Sequence, residues 1–193
     1  AQKMDFTQIE KNIVRCPDNK MAQKMVDHIL HARKNGDSVG GVVELVAKGV
    51  PAGLGEPVFD RLDADLAKAM MSIPAVKGVE FGIGFEAAKM YGSECNDSYT
   101  IKGKKITTKT NNAGGIHGGI SNGSDIILRM VVKPTSSIVK SQNTVTTGGT
   151  KAKIRVEGRH DPCVSPRAVP IAEAMMALTL IDHLMRSQFS KLK

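Results

Sequence analysis

The segment AVPIAEAMMALTLIDHLMRSQ, residues 168–188, limits the possible folds more than any other stretch of the chain. At helical spacing its apolar residues occupy most of the circumference, and a helix of that kind needs burial on several sides, deep in a structure or in an interface. The other regular elements must therefore supply covering surfaces. Residues 17–35 read as a helix, with Pro17 and Asp18 at its start and Gly36 placed for a left-handed C-cap. Residues 58–73 read as another, with Leu62, Leu66, Met70 and Ile73 on one face, Pro57 in its first turn and Pro74 ending it.

Strand-like stretches are SVGGVVELVAK (38–48), VKGVEFG (76–82), DIILRMVVK (125–133) and KIRVEG (153–158), with a hairpin at YTIKGKKITTKT (99–110). The run 125–133 is almost wholly apolar, which predicts burial on both faces. Helices and strands do not alternate regularly, so the fold class expected is α+β in a single domain over 1–193. Two stretches resist assignment: NNAGGIHGGISNGSD (111–125), with five glycines, and the hydroxyl-rich SSIVKSQNTVTTGGTK (136–151). Long loops in compact domains serve function or move, and residues 138–151 are expected to form a lid.

A formal charge of +8 favours anionic partners, whether nucleic acid, an acidic surface or a phosphorylated small molecule. Seven aromatic residues leave little for bases to stack on, which argues against nucleic acid. Cys16, Cys95 and Cys163 are odd in number and far apart, as expected for reduced thiols in the cytoplasm and not for a disulfide framework or a metal site. No apolar run approaches the roughly 20 residues of a membrane span, and residues 1–12 lack the apolar core of a signal peptide.

Three places carry candidate chemistry. The glycine pairs 114–115 and 118–119 would let backbone approach a flat or phosphorylated ligand, although a plain glycine-rich turn reads the same way. Lys133 to Ser137, KPTSS, could cradle a phosphate through ammonium, hydroxyl and amide donors, or mark a strand leaving its sheet. In Arg159-His160-Asp161 the arginine could hold an anion while the aspartate positions a proton; a surface turn with Asp161 paired to a neighbouring base is the alternative. His28, His31 and His183 are expected to be structural, and His117 has no second ligand in the sequence.

The order of these motifs adds more than any one of them. SIPAVKGVEFG (72–82), NNAGGIHGGISNGSDI (111–126), KPTSSI (133–138) and RHDPCVSPRAVPIAEAM (159–175) resemble, in sequence and spacing, the C-terminal half of the chorismate synthase family. GVPAGLGEPVFDRLDADLAKAMMSI (49–73) is similar to the same family.

The resemblance implies a lyase that converts 5-enolpyruvylshikimate 3-phosphate to chorismate by 1,4-elimination of phosphate, using reduced FMN, with NADPH wherever the enzyme reduces its own flavin. It implies FMN contacts at Ala75, Gly118, Lys133, Pro134, Thr135, Ser136, Ser137 and Arg159, and catalytic roles for Arg159 and Asp161. It further implies part of a β-α-β sandwich, an antiparallel sheet packed on long central helices, in a cytoplasmic homotetramer. Pro74 stands where the family usually has Asn, and Ile83 where an acid is common. The family's N-terminal half, with its Gly-x-Ser-His loop and catalytic histidines, has no counterpart in these 193 residues, so the chain alone is expected to be inactive. A basic RNA-binding module or an oligomerisation domain without catalysis are the readings that compete with it.

Overall fold

The computed structural model describes residues 4–103 and 105–189. In chain order its elements are α1 (Asn19–Lys34), β1 (Gly41–Ala47), α2 (Leu62–Met71), β2 (Val76–Phe81), the single turn α3 (Gly92–Cys95), β3 (Tyr99–Lys102), β4 (Lys105–Thr108), β5 (Ile116–His117), β6 (Ile120–Ser121), β7 (Ile126–Val132), β8 (Gln142–Val145), β9 (Lys151–Ile154) and α4 (Ser165–Phe189). A three-stranded sheet runs in the order β1-β7-β2, and β3-β4, β5-β6 and β8-β9 are two-stranded antiparallel ladders. The fold is α+β. The chain gathers into two compact units, one from residues up to 41 with 132–169, the other from 42–131 with the residues from 170 onward.

In the first unit α1 follows its sequence signals closely. Asp18 caps it by accepting from the Lys20 and Met21 amides. At the other end Gly36 takes φ 66°, and the Gly36 and Asp37 amides donate to the Arg33 and Ala32 carbonyls, a Schellman closure that only a residue tolerant of positive φ permits. Residues 138–151 are not the irregular loop that their composition suggested. β8 pairs with β9 from Gln142↔Ile154 to Val145↔Lys151, and Thr146 and Thr150 close the turn through an amide–carbonyl bond of 2.9 Å. The hydroxyl-rich composition had hidden a hairpin, because threonine serves a half-exposed strand as readily as a loop.

In the second unit β7 buries Ile126, Leu128 and Met130, while Ile127 and Arg129 are half-buried and Val131 is exposed. The strand is therefore covered on one face, not both. Arg129 explains the open face: its Nε lies 2.9 Å from Glu80 Oε1, and its Nη2 donates to the Gly82 carbonyl. Leu62, Leu66 and Met70 of α2 are fully buried, but the helix begins at Leu62, four residues beyond the expected start. Val58 sits at φ 69°, a conformation no helix contains and one costly for a β-branched residue, so Pro57–Asp60 forms a turn instead.

α4 starts at Ser165, three residues earlier than its apolar pattern indicates, since a proline in the first turn removes no bond that the helix would make. Ala172, Met176 and His183 are buried, and His183 Nε2 lies 3.0 Å from Asp65 Oδ2 on α2. This histidine is structural, as expected. By length and composition α4 is long and apolar enough to cross a membrane, unlike the sequence expectation. It is not buried on several sides among the described residues: Ile171, Leu178, Ile181 and Met185 are 46–62% exposed along one stripe.

Candidate functional site

The short extended segment Ser38–Gly41 joins two of the three motifs in the first unit. On one side the Ser38 hydroxyl donates to the Thr135 carbonyl at 2.6 Å. Gly40 lies so close to the end of β7 that a Cβ there would fall 2.4 Å from the Val132 carbonyl oxygen and 3.1 Å from Pro134 Cδ. On the other side the Val39 amide donates to the Pro162 carbonyl at 2.8 Å, and a Cβ on Gly41 would fall 2.6 Å from Ser165 Oγ. Lys133–Ser137 and Arg159–Ser165 are thereby held against one backbone strip, although over twenty residues separate them in sequence. Gly40 and Gly41 permit this because their missing side chains leave room for the end of β7 on one side and for the Ser165 side chain on the other.

The groups held there suit an anion. Lys133 and Arg159 are exposed, and neither pairs with a carboxylate among the described residues. The Thr135 hydroxyl oxygen is buried with no hydrogen-bond partner, and the Ser136 side chain is exposed beside it. A buried hydroxyl left unpaired costs stability unless something else completes it. Asp161 is half-buried and its Oδ2 lies 2.7 Å from Arg167 Nη1 at the start of α4. The aspartate thus has the basic neighbour that a surface turn would give it. His160 is exposed and lies against Gly158, whose φ of 146° favours glycine.

The remaining expected contacts, Ala75 and Gly118, belong to the second unit. Ala75 adopts φ 71°, a left-handed conformation that costs an alanine about 1 kcal/mol and that recurs at functional sites. Gly118 and Gly119, at φ 58° and 86°, are the two central residues of the turn joining β5 to β6. The glycines of this loop are not equivalent. A Cβ on Gly114, Gly115 or Gly119 would fall 2.4–2.6 Å from Gly82, Asp125 or Arg61 atoms, whereas one on Gly118 would meet nothing within 4 Å. Three of these glycines are consumed by packing, and Gly118 alone of the four faces open space.

The residue that holds this loop, Asp97, carries no signal in the sequence. Asp97 is buried, its side chain 1% exposed. Oδ1 accepts from the Thr110 hydroxyl at 2.6 Å and the Asn112 amide at 2.7 Å; Oδ2 accepts from the Ala113 amide at 2.9 Å and stands 3.4 Å from His117 Nε2. Burial pushes its carboxyl up, but the hydrogen bonds from Thr110, Ala113, Asn112 and His117 outweigh burial and hold it below the usual carboxylate value. His117 Nδ1 in turn lies 3.3 Å from the Tyr99 hydroxyl, and the two rings meet edge to face. Asp97, Asn112, Ala113 and His117 line a cavity of about 310 Å³ together with Phe81, Ile83 and neighbours. Among the described residues no cluster of side chains is arranged to hold a metal ion.

Comparison with known proteins gives a consistent result. The family model described as chorismate synthase matches residues 2–185. The chorismate synthase of Methanosarcina barkeri is 61% identical over 182 residues, which is 94% of this chain and 50% of that protein. The enzyme of Methanosarcina mazei is 58% identical over 194 residues, 98% of this chain and 53% of its own length. That of Rippkaea orientalis is 56% identical over 181 residues, 93% of this chain and 50% of its own length. A crystal structure of chorismate synthase superposes with a TM-score of 0.78 at 33% identity, covering 95% of this chain and 48% of that one. The chain thus spans about half the length of the curated relatives it matches.

Proposed function

Because the chain belongs to the chorismate synthase family, we propose that it contributes part of an active site that eliminates phosphate from 5-enolpyruvylshikimate 3-phosphate to give chorismate. The C–O bond to phosphate breaks with its electron pair leaving on the phosphate. A ring proton is lost, and the electrons of its C–H bond form the new double bond, so no net oxidation occurs. Reduced FMN would supply electron density that eases departure of the phosphate, with no net change in its own oxidation state. NADPH is the reductant wherever the enzyme reduces its own flavin.

The observation that carries this reading is the joining of Lys133–Ser137 to the Arg159–Ser165 segment, through Thr135 on one side of Ser38–Gly41 and Pro162 on the other. Flavin and substrate both bring phosphate, and the substrate adds carboxylates, so their binding surfaces must present uncompensated cations and hydroxyl donors. Lys133 and Ser136 with Ser137 fit that demand, as does the unpaired Thr135 hydroxyl. Pro134 fixes the turn that presents them. Arg159 fixes negative charge on the flavin and substrate. Asp161, oriented by Arg167, positions a proton at the flavin ring. Ala75 and Gly118 supply further flavin contacts, Gly118 through a backbone left open to solvent.

The exposed apolar stripe of α4 is covered, in this reading, by the half of the family's chain that these residues do not span, within a cytoplasmic homotetramer. The isolated 193 residues are accordingly inactive. The test compares this chain with the full-length gene product for FMN binding and for phosphate release from 5-enolpyruvylshikimate 3-phosphate. Chorismate formation by the full-length product with reduced FMN, and none by the chain alone, is the expected result. A full-length product that neither binds FMN nor releases phosphate removes the proposal.

A further inference from the structure

The loop from Thr110 to His117 ends at Gly118, and four of its polar groups converge on one carboxylate. We propose that Asp97 is a positioning residue for the Gly118–Gly119 turn, fixing the loop in the shape that a flat, phosphate-bearing ligand approaches. The identity of that ligand as FMN rests on the reading above; the positioning role does not.

The geometry allows Asp97 no idle lone pair. Two of its four donors are main-chain amides, of Asn112 and Ala113, and one is the Thr110 hydroxyl, all between 2.6 and 2.9 Å. The fourth, His117 Nε2 at 3.4 Å, belongs to the residue immediately before the turn. Facing the Asp97 carboxylate, His117 Nε2 is the donor in this contact, and Nδ1 on the other side of the ring faces the Tyr99 hydroxyl and the Asn122 amide. Removing the carboxylate strands two amides in a part-buried site where water replaces it poorly.

The rest of the loop is held by backbone packing. Asn111 accepts from the Gly115 amide and donates to the Asp125 carbonyl, and Gly114 and Gly115 lie in close contact with Gly82 and Asp125. These contacts fix the C-terminal side of the loop against β7. Its N-terminal side, 110–113, is held by Asp97, by the Ile83 amide, which donates to the Asn112 carbonyl at 2.9 Å, and by the Asn112 side chain, which donates to the Cys95 carbonyl at 3.0 Å. A binding turn whose shape is set in advance loses less entropy when its ligand arrives. Losing Asp97 therefore weakens binding without touching the ligand.

The experiment uses the full-length gene product with Asp97→Ala, the milder Thr110→Val, and Leu66→Ala as a core control on α2. Amide exchange over residues 114–121, the ¹⁵N signature of the His117 ring and titration with FMN are measured on each. For Asp97→Ala the expected result is exchange faster by about tenfold, loss of the fixed Nε2–H form and FMN affinity weaker by about tenfold. Thr110→Val moves all three the same way by less. Leu66→Ala lowers the melting temperature but leaves loop exchange and FMN affinity within about twofold. A folded Asp97→Ala protein with native loop exchange and ring signature overturns the proposal, as does one with an altered loop and native FMN affinity. If the unsubstituted protein binds no FMN, the cofactor reading falls, and exchange with the ring signature alone decides for or against Asp97.

Discussion

The Ser38 hydroxyl and the Thr135 carbonyl, 97 residues apart, are joined at 2.6 Å, and the next residue, Val39, donates its amide to Pro162. One short extended strip therefore fixes both basic motifs of the first unit. Ser38→Ala removes one bond and leaves the Thr135 carbonyl without that donor, a loss of about 1 kcal/mol in stability. Because the strip sets the spacing of the KPTSS turn, FMN affinity should weaken by several fold in the same variant, measured by fluorescence titration. A variant with lower stability and native affinity would confine Ser38 to the fold.

Asp161 is assigned a proton role, and its neighbour Arg167 holds the carboxylate at 2.7 Å. Asp161→Asn keeps shape and one hydrogen-bonding oxygen but removes the charge. Turnover of the full-length product should fall by about 10²–10⁴-fold while FMN affinity stays close to native. Steady-state kinetics beside a flavin titration separates the two; near-native turnover removes Asp161 from the chemistry.

His183 is buried on α4 and bonded to Asp65 on α2 at 3.0 Å. His183→Ala leaves a cavity and an unpaired, partly buried carboxylate, so unfolding free energy should drop by about 2–4 kcal/mol in urea denaturation. A loss below about 0.5 kcal/mol would show that the pair contributes little.

The carboxyl of Asp97 is held below its reference value of 3.8. A group whose pKa is lower folded than unfolded contributes stability that is complete above the unfolded value and is lost as pH falls through the folded one. The stability difference between the unsubstituted protein and Asp97→Asn should therefore be largest near neutrality and shrink once pH drops below 3.8. Urea unfolding at pH 7 and at pH 3 tests this. A difference that stays constant would assign the loss to shape instead of charge.

The sequence carried the fold unevenly, for identifiable reasons. α1 was legible because Asp18 and Gly36 both act locally, within a turn of the helix they bound. The start of α2 was not, because Val58 takes a positive φ that no local propensity foretells. β7 reads as buried on both faces until Arg129 finds Glu80, a partner on another strand. The stretch 138–151 looked like a loop because threonine and glycine at a hairpin tip resemble a linker, and only the β8–β9 register distinguishes them. Of the candidate site, Lys133, Arg159 and Asp161 were visible as motifs. Ser38 and Asp97 were not, since each acts through bonds to residues far along the chain, and a lone serine or aspartate before a turn carries no signal of that. The Gly40-Gly41 pair was the one available hint, a double glycine where a strand begins.

Lys133 is the cation on which the phosphate-binding account depends most directly. Lys133→Ala in the full-length product, titrated with FMN at constant ionic strength, should weaken binding by about tenfold or more while the melting temperature stays within a few degrees, because the side chain is exposed. Native FMN affinity in that variant would contradict the account.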